Sequence, residues 1–139
     1  MRNLILILWL LSPLLLASQN ATKKLRKIIE KDNIKALNAF LGEDGDINAC
    51  YEINESTYSL MILSIKYDAV AMFQAGIKGG ADLDQIGDQK TPLMYAIKHE
   101  RMAIFKTLIA QGADPNIESS SGKTASDYAV KYHRVGLTE

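Results

Sequence analysis

Twenty-six consecutive residues of this 139-residue chain align without a gap on a stretch thirty-two residues earlier. The later copy is TPLMYAIKHERMAIFKTLIAQGADPN, from Thr91 to Asn116. The earlier is SLMILSIKYDAVAMFQAGIKGGADLD, from Ser59 to Asp84. Ile97-Lys98 falls on Ile65-Lys66, Phe105 on Phe73, and Gly112-Ala113-Asp114 on Gly80-Ala81-Asp82. Downstream, Thr124 follows Thr91 by thirty-three residues, and Tyr128, Ala129 and Lys131 fall on Tyr95, Ala96 and Lys98. Upstream, residues 33–48 match the second half of the unit. The step from Asp46 to Asp82 is thirty-six, so the first connecting loop is longer, with the extra residues in YEINES, 51–56. A unit of about 33 residues cannot bury its apolar face alone, so such a period requires neighbouring copies to stack.

Each unit predicts two helices. The Thr91 hydroxyl can cap a helix, and Pro92 sits where a missing N–H costs nothing. Leu93, Ala96 and Ile97 follow at i, i+3 and i+4, one apolar face. The next helix is expected to bury Ile104, Phe105, Leu108 and Ile109. Gly112 then ends it in the left-handed conformation, free of a Cβ penalty.

These residues resemble the ankyrin-repeat family, whose unit runs Gly-x-Thr-Pro-Leu-His-x-Ala, a second helix, then Leu-Leu-x-x-Gly-Ala-Asp-x-Asn. Thr91-Pro92-Leu93, Ala96, Leu108-Ile109 and Gly112-Ala113-Asp114-Pro115-Asn116 carry the match. The unit from Ser59 follows it moderately, and Thr22–Asn48 and Thr124–Ala129 are degenerate terminal units. The resemblance implies an all-α solenoid of about four helix-turn-helix units over residues 22–139. Met94 replaces the family His, and Ile62 and Asp127 share its column, so looser turns are expected. Asp44 stands where Gly80 and Gly112 stand, so the first unit should end differently, with Gly45 a candidate stop.

Residues 1–18, MRNLILILWLLSPLLLAS, read separately. A basic start at Arg2, an apolar run from Leu4 to Leu16 and small residues at Ala17 and Ser18 give the layout of a secretory signal peptide. The run is shorter than the roughly 20 residues that span a bilayer, so no stable membrane insertion is expected after cleavage. Bulky Leu15 leaves Ala17, Ser18 and Ala21 as competing cleavage points. The lone Cys50 allows no internal disulfide; its expected role is apolar packing. Two sequons, at Asn20 and Asn54, matter only in a eukaryotic secretory pathway.

No catalytic, cofactor or metal constellation is present in the sequence. His99, His133 and Cys50 lack metal-ligand spacing. IKGGAD lacks the Lys-Ser/Thr of a phosphate-cradling loop. Asp82, Asp84 and Asp88 read as solvated turn residues with local hydrogen bonds, and ESSSG (118–122) as a flexible connector. The 16 basic and 16 acidic residues argue against a nucleic-acid binder, which needs a basic excess, and leave only a local patch open.

Function is therefore expected on a surface. Two columns of candidate partner-binding residues follow the buried Ile65, Ile97 and Val130: Lys66, Lys98 and Lys131, then Tyr67, His99 and Tyr132. Cations beside aromatics suit an acidic, partly apolar protein partner. Tyr51 and Ile53, expected on the exposed tip of the long loop, are the second candidate surface. The expected protein is a monomeric, non-catalytic interaction module, periplasmic or secreted. Its partner would be a protein such as a cognate toxin or an enzyme. The alternative is a secreted effector engaging host proteins.

Overall fold

A computed structural model describes residues 20–42 and 46–134. The apolar run Leu4–Leu16 and the expected stop at Asp44-Gly45 lie outside them. A helix over residues 20–30 (α1) is followed by α2 (Ile34–Leu41), strands β1 (Cys50–Ile53) and β2 (Ser56–Ser59), then α3 (Leu60–Lys66) and α4 (Val70–Lys78). The chain continues through α5 (Pro92–Lys98), α6 (Met102–Ala110) and α7 (Ala125–Lys131). No helix among the described residues is long and apolar enough to cross a membrane.

The expectation of an all-α chain is corrected by β1 and β2. They form an antiparallel hairpin with Cys50 opposite Ser59 and Ile53 opposite Ser56. Asn54 and Glu55 make its two-residue turn, at φ 52° and 64°, the left-handed pair that matches the twist of a tight hairpin. The residues added to the first loop thus form a strand pair, not an irregular tip.

Caps set the helix starts. The side chains of Ser59, Thr91 and Thr124 accept from the backbone N–H groups of Ile62, Met94 and Asp127. Thr124 and Asp127 complete a reciprocal capping box. α3 and α5 are seven residues long, too short to persist alone in water; packing on both sides holds them. α3 touches α4 and α5, and α5 touches α6 and α7. Leu60–Ile65 and Pro92–Ile97 are consequently buried in full.

Two burial expectations fail. Val130 is 60% exposed where Ile97, its equivalent, is 0% exposed; α7 contacts α5 with one face only. Ile109 is 41% exposed, because α6 turns only Ile104, Phe105 and Leu108 inward.

Side chains tie each unit to the next. The Asp46, Asp82 and Asp114 carboxylates accept from the N–H two residues on, at 2.8, 2.9 and 2.9 Å. Asn48 Oδ1 accepts from Asp82 N–H at 2.7 Å, and Asp84 Oδ1 from Asp114 N–H at 2.9 Å. Between the paired helices, Asp32, Asp68 and Glu100 all have left-handed backbones, and all three reach into the following unit. Asp32 accepts from Ala71 and Met72 N–H, supplying the cap that α4 lacks. Asp68 pairs with Arg101 and Glu100 with Arg134. The loops that precede α3, α5 and α7 also link: Asp88 N–H donates to Thr57 O, and Ser120 N–H to Gln89 O. ESSSG is thus a structured turn: Ser119 is buried and bonded to Lys123.

Gly80 and Gly112, at φ 73° and 95°, occupy the equivalent helix stops. The next residues, Ala81 and Ala113, donate back to Gly76 O and Leu108 O, which satisfies carbonyls at the helix ends. A Cβ at Gly112 would meet nothing within 4 Å, so a substitution there tests backbone conformation alone. Gly112→Val is expected to lower stability by about 1–2 kcal/mol in urea denaturation, and Gly112→Asn by clearly less.

Candidate partner-binding face

The two candidate columns sit at the carboxyl ends of α3, α5 and α7. Lys66, Lys98 and Lys131 are the last helical residues, and Tyr67, His99 and Tyr132 the C-cap residues. A cation there is favoured by the partial negative charge of the helix end. The three repeats therefore bring the six side chains to equivalent places, though not to equivalent environments.

Lys98 and Lys131 are exposed. Lys66 is half-buried: its ammonium donates to the Tyr58 hydroxyl at 2.9 Å and lies 4.2 Å from that ring centre. Its charge is thus already engaged, whereas Lys98, 5.9 Å from the Tyr95 ring centre, and Lys131, 5.6 Å from that of Tyr132, remain exposed. His99 stacks on Tyr95 with centroids 6.0 Å apart and planes 8° from parallel, and Tyr132 stacks on Tyr128 at 6.2 Å and 23°. Both pairs are i, i+4 neighbours on one helix, with the lower ring buried. Leu63 holds that place in α3, so Tyr67 has no ring beneath it; the Arg26 guanidinium lies 6.0 Å from its centre instead. Tyr67, His99 and Tyr132 are all half-buried, with one ring side packed.

Burial holds the His99 imidazole below its ordinary pKa, and Lys98, Arg101 and Lys66 lower it further. It is neutral at pH 7. Its Nε2 is buried with no hydrogen-bond partner.

Beneath this row lies an arrangement that sequence patterning missed. Asp88 accepts from Ser56 Oγ at 2.9 Å, Tyr95 Oη at 3.0 Å and Tyr58 Oη at 3.4 Å. Desolvation opposes its charge, but these hydroxyls and Lys90 outweigh it and hold the carboxyl below the usual range. The Tyr95 phenol is pushed far up by burial and by Asp88. Asp88 therefore joins the hairpin to α5, and the absence of the family His at Met94 does not leave the turn before α5 untied. The acidic trio is split: Asp82 closes its own turn, Asp84 holds Asp114, and Asp88 serves the tyrosines.

The hairpin differs from its expected form. Ile53 is 3% exposed: strand alternation turns it into the core, so it does not stand out to meet a partner. Tyr51 is half-buried against Phe40, with ring centroids 6.1 Å apart; burial, then Asp46 and Cys50, raises its phenol pKa. Cys50 is exposed, not packed, and Gln85 Nε2 lies 3.3 Å from its sulfur. Among the described residues no group of three His, Cys, Asp or Glu side chains is placed to hold a metal ion.

The family profile described as ankyrin repeats (3 copies) matches residues 25–119 and 60–138. The chain belongs to the ankyrin-repeat family. No curated protein matches it. Ankyrin repeats generally mediate protein–protein interaction, which defines the class as a non-catalytic binding module.

Two outcomes are expected. Asp88→Ala leaves the buried Tyr95 hydroxyl without its acceptor and should cost about 1–3 kcal/mol in chemical denaturation. His99 is depressed in the folded state, so the unfolded chain binds its proton more readily. Its contribution to stability is complete above about pH 6.5 and declines as the pH falls through the folded pKa. An NMR titration of His99 should give a midpoint below about 6.5; one at or above that value would contradict its burial among cations.

Proposed function

We propose that this chain is an exported, monomeric ankyrin solenoid that binds one acidic, partly apolar partner protein through the carboxyl ends of α3, α5 and α7. The observation that carries the proposal is the row of half-buried rings, Tyr67, His99 and Tyr132, with Lys98 and Lys131 exposed beside it. His99 and Tyr132, already stacked on a buried ring, lose little conformational freedom on contact, and aromatic side chains offer large contact area. Exposed ammonium groups favour an acidic partner and speed its approach. Residues 1–18 have the composition of a secretory signal, which supports a periplasmic or secreted setting. A toxin or an enzyme held in check by a rigid cover fits this chemistry.

Affinity capture from the native exported fraction would provide the partner, and calorimetry the affinity. Lys98→Glu with Lys131→Glu should weaken binding by on the order of tenfold or more at low salt; both are exposed, so the fold is kept, with a small loss of stability from placing anions at helix carboxyl ends. Tyr67, His99 and Tyr132 changed together to Ala should weaken it further, with modest loss of thermal stability. Affinity unchanged in both variants would remove this face and leave Tyr51 as the remaining candidate.

A further inference from the structure

Charge on this neutral chain is unevenly placed. Residues 20–42 hold six basic side chains, Lys23, Lys24, Arg26, Lys27, Lys31 and Lys35, against Glu30 and Asp32. Residues 46–134 hold nine basic against eleven acidic. The excess is gathered on the first unit, and all six of these basic residues are exposed.

The helical period explains the face. Leu25, Ile28 and Ile29 of α1 are buried. At 100° per residue, Lys23, Lys24 and Lys27 fall within an arc of roughly 100° on the opposite side, and Lys31 continues it past the helix end. Arg26 lies outside that arc and is paired with Glu30 at 2.8 Å. The ion pairs among the described residues all use arginines, at 26, 101 and 134; none neutralises these lysines. Like charges four apart, as in Lys23/Lys27, weaken a helix, so folding gains nothing from the stripe.

The sequence places an apolar run, Leu4–Leu16, six residues before Lys23. Six residues reach at most roughly 20 Å. While residues 1–18 remain attached, before any signal cleavage, a run that meets a bilayer tethers the lysine face near the headgroups. There, anionic lipids attract basic groups within about one Debye length. We propose that Lys23, Lys24, Lys27 and Lys31 form a docking face for an anionic phospholipid surface, independent of the partner row. The acidic excess over residues 46–134 and the neighbouring apolar run favour a bilayer over a nucleic acid as the phosphate-bearing partner.

Co-sedimentation of the full chain with phosphatidylcholine vesicles, with and without phosphatidylglycerol, tests this. The apolar run contributes to both, so the ratio of the two partition coefficients isolates charge. The wild-type ratio should favour the anionic vesicles and collapse as salt is raised. Replacing Lys23, Lys24, Lys27 and Lys31 by Gln should lower it by about fivefold per lysine, while the melting temperature is not lowered. A wild-type ratio near one, or one that salt does not reduce, would overturn the proposal whether or not the variant folds. An equal ratio in the folded variant would also overturn it. So would tighter binding to duplex DNA at equal phosphate concentration, which would assign the face to nucleic acid.

Discussion

Seven-residue helices do not hold themselves together in water, because too few hydrogen bonds form to offset the ordering of the first turn. α3 and α5 exist because every residue from Leu60 to Ile65 and from Pro92 to Ile97 is covered by a neighbour. That mutual burial is the constraint on which the rest depends. It explains small Ala96 and Ala129 between helices, the Ser or Thr cap at each start and the Gly stop at the end of each complete central unit. It also explains why α7, contacted on one face, leaves Val130 in solvent.

The same packing builds the candidate face. A helix whose body is fully enclosed can offer a partner only its end and the turn beyond it. Tyr67, His99 and Tyr132 occupy those ends, and the i, i+4 rings of Tyr95 and Tyr128 hold two of them in place. The Asp88 knot then fixes Tyr95 and Tyr58 against each other across the boundary between hairpin and helix. Acidic turn residues perform the matching task elsewhere: Asp32, Asp68 and Glu100 each engage the following unit. Polar groups that look like a scattered surface in the sequence are the ties between copies.

Much of this was legible from Thr91 and Gly112 alone, because caps and stops are local and recur in register. The columns were legible for the same reason. What sequence patterning lost was what depends on contacts between units. The hairpin hid inside a change of spacing, although Tyr51, Ile53 and Tyr58 already alternate around a tight turn at Asn54-Glu55. Asp88 looked like one more turn carboxylate, since nothing local marks the two tyrosines that reach it. Ile109 and Val130 have apolar chemistry at apolar positions, and only the neighbouring surfaces decide that they stay exposed. Lys66 shares a column with Lys98 and Lys131 yet is engaged, because only its unit has the long hairpin and Tyr58 beside it.

The most direct test is residue-resolved hydrogen exchange of the folded chain. If neighbours alone hold the inner helices, the interior amides of α3 and α5 should be the most protected. They should share one opening free energy, and Leu93→Ala in α5 should lower protection in both together. Exchange of α5 that is fast while α3 stays protected, or protection of α3 untouched by Leu93→Ala, would contradict the account.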